Sequence, residues 1–120
     1  MRIRRSFAIP LAAPIVALML DSAAQAAPTE LVAAVGPGFT IALMTASGKP
    51  VTRLNTGSYA ETVGDDSPVH TFRLLGPGVN KATGVAALGR TVWTISLEHG
   101  KHHFQGDPHE AFMKGNFSVK

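Results

Sequence analysis

From residue 31 onward, the chain alternates short apolar or β-branched segments with turns rich in glycine and proline. Residues 39–43, 51–54 and 91–97 alternate large apolar side chains with small or polar ones, which is the period of a half-buried strand. No segment after the N-terminal region sustains an apolar stripe at helical spacing. Regularly spaced strands with such turns predict an all-β sandwich or barrel of about 7–8 strands.

Two details of this strand pattern are specific enough to be tested. We expect residues 69–74 to form a strand in which Val69 and Thr71 face away from His70 and Phe72. His99 and Gly100 predict a tight hairpin turn into the last pair of strands. The core of the sandwich is expected to contain five aromatic side chains, Phe39, Phe72, Trp93, Phe104 and Phe117.

The first 26 residues have the layout of a secretory signal peptide. Three arginines near the start precede a short apolar run, residues 7–20, and Ala24-Gln25-Ala26 forms a small-x-small cleavage site. The run is too short for a membrane span, which disfavours an uncleaved anchor. Arg4-Arg5-Ser6-Phe7 resembles the start of a twin-arginine signal, so the export route stays open. We therefore expect one domain, residues 27–120, in a periplasmic or secreted location.

Composition excludes several classes of partner for the exported domain. Removal of three arginines and Asp21 with the signal lowers the formal net charge from +3 to +1. The remaining charges are interspersed and form no basic patch, so we expect no nucleic-acid or membrane partner. The chain contains no cysteine, so no disulfide stabilises it, and the core must suffice. A monomer is the simplest expectation.

A loop near the C-terminus carries the residues with the most specific chemistry. His109 and Met113 lie four positions apart between two strand-like segments, residues 102–105 and 116–119. A short loop that closes two antiparallel strands holds its side chains at fixed positions, as a metal site requires. Imidazole with thioether is a soft donor pair that suits copper better than magnesium, calcium or manganese.

Enzymatic activity is not expected. Only His70 and His109 are bases suited to a site, and neither a serine nucleophile elbow nor a paired-carboxylate motif accompanies them. The Gly-Pro-Gly segments lack the lysine and the following helix of a phosphate-binding loop.

Three segments together resemble the plastocyanin/azurin family of cupredoxins, especially its small exported bacterial members. They are Ser67-Pro68-Val69-His70-Thr71-Phe72, Gly76-Pro77-Gly78-Val79-Asn80, and residues 107–115 with Asp-Pro-His at the start and Met-Lys-Gly at the end. The likeness extends over about residues 30–120. It implies a cupredoxin-like Greek-key β-sandwich, copper as the cofactor, and electron transfer as the ancestral activity.

The resemblance also implies a ligand set. By position, the upstream copper ligand falls on His70, the loop histidine on His109 and the axial methionine on Met113. The position of the cysteine ligand falls on Gly106, and that of the asparagine after the first histidine falls on Thr71. Because the colour of a blue-copper site comes from the copper–thiolate bond, we expect a degraded type 1 site that binds Cu(I) or Cu(II) without blue colour. In a Cu(II) site, water is expected in the space that the sulfur would fill.

Several alternatives stay open. The site could be an altered redox centre, a Cu(I)-handling site with a redox or copper-trafficking protein as partner, or an empty scaffold. In the last case the chain is a metal-free β-sandwich that binds a partner through its loops. His70 could be an ordinary core histidine, His109 a surface loop residue and Met113 a gap-filler. Another histidine cluster is expected to bind zinc or nickel adventitiously at the surface: His99, His102 and His103.

Overall fold

A computed structural model describes residues 27–120, so the predicted signal peptide lies outside the described residues. Within this range the chain forms nine strands and no helix. In chain order the strands are β1 (Thr29–Val35), β2 (Ile41–Thr45), β3 (Arg53–Leu54), β4 (Gly57–Asp65), β5 (Arg73–Gly76), β6 (Val79–Ala82), β7 (Gly89–Leu97), β8 (Gly100–Gln105) and β9 (Lys114–Val119). No helix in this part of the chain is long and apolar enough to cross a membrane.

The strands form two sheets that pack face to face. One sheet has the order β2-β1-β4-β7, and the other has the order β3-β9-β8-β5-β6. The pairs β1–β4 and β3–β9 are parallel, whereas the other paired strands are antiparallel. The chain passes repeatedly from one sheet to the other, as in Greek-key sandwiches. The all-β sandwich prediction is confirmed, with nine strands where about 7–8 were expected.

The core lies between the inner faces of the two sheets. In β7 the inward face carries Trp93, Ile95 and Leu97, as the alternating pattern predicts, with Trp93 half-buried. The rings of Phe72 and Phe104 stack at 5.8 Å in the core. The strongly buried apolar side chains are Leu31, Ala33, Val35, Leu43, Val51, Tyr59, Val63, Phe72, Leu74, Ile95, Leu97, Phe104, Met113, Phe117 and Val119.

One aromatic residue of the expected core lies outside it. The side chain of Phe39 is 61% exposed, so its assignment to the core is wrong. Phe39 precedes β2, which begins only at Ile41, and the strand's inward alternation does not extend back to it.

The expected strand over residues 69–74 begins later than predicted. β5 starts at Arg73, and the residues before it are irregular, with His70, Thr71 and Phe72 all buried. The backbone N–H of Thr71 donates to the carbonyl of Asp107, 3.0 Å away, which is not a strand partner. The predicted alternation at 69–72 is therefore wrong, because long-range loop contacts and not a neighbouring strand set the direction of these side chains.

The turn at His99 and Gly100 is also not a hairpin. β7 ends at Leu97 and β8 begins at Gly100, but the two strands belong to different sheets. β7 pairs with β4, whereas β8 pairs with β5 and β9. The short connection carries the chain across the edge of the sandwich.

Candidate metal centre

The loop between β8 and β9 is organised around the three positions that the resemblance selects. The N–H of Gly106 donates to the carbonyl of Met113 at 2.8 Å, and the N–H of His109 donates to the carbonyl of Gly106 at 2.9 Å. The N–H of Met113 donates in turn to the carbonyl of His109 at 2.9 Å. This ring of three backbone hydrogen bonds fixes Gly106, His109 and Met113 relative to one another. β8 and β9 are antiparallel, as the loop prediction requires.

A second segment is tied to this loop through Thr71. The N–H of Thr71 donates to the carbonyl of Asp107, and the N–H of Asp107 donates to Oγ1 of Thr71, both at 3.0 Å. Thr71 is 2% exposed, so water does not compete with these bonds. Because His70 directly precedes Thr71, these two hydrogen bonds hold the upstream histidine next to the loop.

The two predicted histidines are in direct contact. Nε2 of His70 lies 2.8 Å from Nδ1 of His109, and the ring centroids are 4.8 Å apart. On its other side, Nδ1 of His70 lies 2.8 Å from Oγ of Ser67. His70 is buried, whereas His109 is half-buried and borders the solvent. Both nitrogens of His70 thus have side-chain partners, and one of these partners is the second candidate ligand.

Met113 is fully buried beside Gly106. A Cβ atom built on Gly106 would lie 2.8 Å from Cε, 3.2 Å from Cβ and 3.3 Å from Sδ of Met113. The methionine side chain therefore occupies the space next to position 106. The Met113 side chain thus takes up part of the space beside Gly106, and water at this position in a Cu(II) site stays a prediction.

Two aromatic rings that sequence reasoning did not assign to the site surround the histidines. The Phe39 ring lies 5.1 Å from the centroids of both His70 and His109. The Phe112 ring lies 5.4 Å from His109 and 5.5 Å from Phe39. The only sequence signal for Phe39 was its position directly after a Gly-Pro-Gly turn, and it does not distinguish a site residue from a core residue.

Both oxygens of the Asp107 carboxylate have side-chain partners. Its Oδ2 lies 2.7 Å from Nε of Arg73, and its Oδ1 accepts a hydrogen bond from Nε2 of Gln105 at 2.7 Å. Burial raises the pKa of Asp107, but the hydrogen bonds and charge of Arg73 and the bond from Gln105 outweigh it, so the net pKa is lowered. Asp107 is therefore an ionised anchor of the loop and not a free metal ligand.

The donor set fits a soft metal ion with few ligands. Within residues 27–120 no group of three or more His, Cys, Asp or Glu side chains could hold a metal ion, so a site at His70 and His109 would need a donor of another kind, such as the thioether of Met113. Metal–imidazole bonds are about 2.0–2.1 Å long, so two nitrogens on one tetrahedral ion lie about 3.3 Å apart. The present 2.8 Å separation must therefore widen slightly. Of the two histidines, His109 is the more exposed.

The other histidine cluster does not form the surface site that was expected. His102 is 1% exposed, and its ring stacks on Phe117 at 5.2 Å. Its Nδ1 lies 3.3 Å from the carbonyl of Gly100, and its Nε2 lies 3.2 Å from the carbonyl of Pro77. His102 is thus a structural histidine with both ring nitrogens facing backbone acceptors.

Comparison with known proteins identifies the fold. The sequence matches no family model and no curated protein significantly. Among solved structures, the copper protein rusticyanin is similar, with a TM-score of 0.57, 21% identity and 76% coverage of both chains. Rusticyanin from Thiobacillus ferrooxidans gives a TM-score of 0.55 at 23% identity over 76% of each chain. The reduced protein gives 0.56 at 23% identity, over 76% of this chain and 78% of that one.

The chain has the cupredoxin fold. At this level of identity the similarity establishes the architecture alone. The cupredoxin sandwich accounts for the nearness of the upstream segment and the β8–β9 loop, because both lie where the two sheets end together.

Proposed function

We propose that this chain is an exported copper-binding protein whose site consists of His70, His109 and Met113. The observation that carries the proposal is the 2.8 Å contact between Nε2 of His70 and Nδ1 of His109. These residues are 39 positions apart, and a cupredoxin scaffold brings their donor nitrogens together. The backbone of Met113, whose side chain is buried, belongs to the same ring of hydrogen bonds as that of His109.

Two imidazoles and a thioether favour Cu(I), a soft ion that accepts few ligands. When bound, copper would supply one-electron redox chemistry. His109 is the histidine that borders the solvent, so it would be the contact point for a redox or copper-trafficking protein. The absence of cysteine means that no thiolate is available, and we propose a site without blue colour.

The other parts of the proposal rest on the sequence. Export to the periplasm or the exterior is proposed from the predicted signal, residues 1–26. A non-enzymatic monomer without nucleic-acid or membrane partners is proposed from the absence of catalytic motifs and of a basic patch.

Titration of the purified exported protein with Cu(I) under anaerobic conditions, and separately with Cu(II), tests the proposal. We expect one equivalent of Cu(I) to bind, and binding to be lost in His70→Ala and in His109→Ala. His99→Ala is the matched control, because His99 is an exposed histidine that is not adjacent to the pair. Stoichiometric uptake that survives both site substitutions would refute the site.

A second function is favoured by a specific observation. Nε2 of His70 and Nδ1 of His109 lie at hydrogen-bond distance from each other, and the Met113 side chain packs beside Gly106, so each of these side chains already has a partner within the chain. The second candidate is therefore a metal-free β-sandwich that binds a partner through its loops. Absence of any stoichiometric copper uptake by the unsubstituted protein would decide for this candidate.

A further inference from the structure

Phe39 is held over the histidine pair although most of its side chain is in contact with solvent. It is 61% exposed, and its ring lies 5.1 Å from both imidazole rings. Single exposed apolar residues are common on protein surfaces and need no explanation. Phe39 differs from them because it contacts both candidate ligands, His70 and His109, and a second exposed aromatic ring, Phe112.

The turn before β2 fixes the position of Phe39. The N–H of Gly36 donates to the carbonyl of Thr40 at 2.8 Å, which closes the turn around Phe39. Gly36 has φ +74°, and a Cβ atom there would lie 2.9 Å from Cβ of Ser67. Ser67 in turn lies 2.8 Å from Nδ1 of His70 through its hydroxyl. The turn therefore packs directly against the partner of His70, and only glycine permits this approach.

Phe112 approaches the pair from the opposite segment. Its N–H donates to the carbonyl of His109 at 3.2 Å, and its side chain is 62% exposed. Its ring contacts both His109 and Phe39. Two separate parts of the chain thus contribute exposed aromatic rings to the site, Phe39 against both imidazoles and Phe112 against that of His109.

We propose that Phe39, together with Phe112, is an aromatic cover that limits the access of water to the His70–His109 pair and thereby favours Cu(I) over Cu(II). The copper part of this inference rests on the proposed function. Cu(II) prefers a tetragonal set of nitrogen and oxygen ligands, whereas Cu(I) accepts soft donors. Because no thiolate is present, water is the ligand that would complete a Cu(II) site, and the two rings stand in its path.

The cover is tested first without metal. Diethyl pyrocarbonate modifies unprotonated imidazoles that solvent can reach, and peptide mass spectrometry assigns each modified histidine. In Phe39→Ala we expect the rate at His109 to rise severalfold relative to the rate at His99, an exposed histidine in the same molecule. Val92→Ala, which truncates another apolar side chain that is 64% exposed, should leave the ratio unchanged. An unchanged rate at His109 in Phe39→Ala overturns the cover.

The consequence for copper is tested on the same variants. The ratio of Cu(I) to Cu(II) affinity should fall severalfold in Phe39→Ala, and Phe39→Leu, which retains apolar bulk, should recover most of it. An unchanged ratio despite a faster reaction at His109 overturns the role in selecting the oxidation state. If the unsubstituted protein binds no copper but Phe39→Ala still speeds the reaction at His109, the proposed function fails and the cover of the pair is supported.

Discussion

His70 and His102 are both almost completely buried, yet they are held in different ways. His70 is 2% exposed and contacts two side chains, the hydroxyl of Ser67 and the imidazole of His109. His102 is 1% exposed and faces two backbone carbonyls, while its ring stacks on Phe117. Burial alone therefore does not distinguish a candidate ligand from a structural histidine.

The partners make the distinction. A contact between two ring nitrogens could be exchanged for two bonds to one metal ion, and His109 is only half-buried. The carbonyls that face His102 belong to the backbone at Pro77 and Gly100 and cannot turn away without moving the chain. The comparison predicts that replacing His70 abolishes metal binding, whereas replacing His102 leaves metal binding intact and weakens the packing of the core.

The largest effects on stability and on the response to copper are expected from two single substitutions, His102→Ala and His70→Ala. His102→Ala removes a buried ring and its stacking on Phe117, which should lower the free energy of unfolding by about 3 kcal/mol. It should leave Cu(I) binding intact, so Cu(I) should still raise its melting temperature by mass action. In His70→Ala the metal should give no such increase. Thermal unfolding with and without Cu(I) measures both, and a copper response lost in His102→Ala instead would reverse the assignment.

Glu61 extends the comparison to a buried group without partners. It lies on the inward face of β4, is completely buried, and neither carboxylate oxygen has a hydrogen-bond partner. Burial raises its pKa to about 7, although the positive charge of Lys81 acts in the opposite direction. Between the ordinary value of 4.5 and about 7, the folded chain therefore retains a proton that the unfolded chain has released.

The expected consequence is that stability falls as pH rises through this window. Because the folded chain holds the Glu61 proton more tightly than the unfolded chain does, raising the pH through this range favours unfolding. A shift of the pKa from 4.5 to about 7 corresponds to about 3 kcal/mol. Glu61→Gln cannot ionise, so its free energy of unfolding should lack this decline between pH 5 and pH 7. Glu30→Gln, at an exposed glutamate, is the control. Denaturant unfolding across pH measures the slopes, and equal slopes for the unsubstituted protein and Glu61→Gln would contradict the prediction.

Gly106→Cys tests whether the loop register underlying the candidate site is correct. The nearest obstacle to a side chain at position 106 is the terminal methyl group of Met113, which can shift, so we expect overpacking to cost about 1–3 kcal/mol and no more. With Cu(II), the new thiolate should produce an intense visible absorption. Gly106→Ser is the matched control, since it adds similar bulk without a thiolate and should stay colourless. A Gly106→Cys protein that takes up copper without colour would show that position 106 is not beside the metal.

Much of the sandwich could be predicted because its strands bury one face. Trp93, Ile95 and Leu97 alternate with polar residues, and this alternation indicated β7 and its inward side correctly. The same rule failed at Val69 to Phe72. There the direction of the side chains depends on hydrogen bonds from Thr71 to Asp107, 36 residues away, and local alternation contains no information on such contacts.

The candidate site was predictable in its components but not in its packing. The resemblance selected His70 and His109, which the structure brings into contact. It did not indicate that Met113 fills the space beside Gly106, because that outcome depends on how a flexible side chain packs next to a glycine. The resemblance also did not indicate that Phe39 lies at the surface of the site and not in the core, since either place suits an aromatic residue after a turn.

The smallest effect is expected at the ion pair that anchors the loop. Nε of Arg73 lies 2.7 Å from Oδ2 of Asp107, with the two side chains 33% and 23% exposed, so solvent screens the pair. Arg73→Met should therefore lower the free energy of unfolding by about 0.5–1 kcal/mol at neutral pH. Because the pKa of Asp107 is lowered in the folded chain, its contribution is present above the ordinary pKa and is lost as pH falls through the lowered one. The difference between the unsubstituted protein and Arg73→Met should accordingly shrink in acid. Arg53→Met, at an exposed arginine of β3, is the control, and a difference that persists after Asp107 is protonated would show that Arg73 acts by packing and not by its charge.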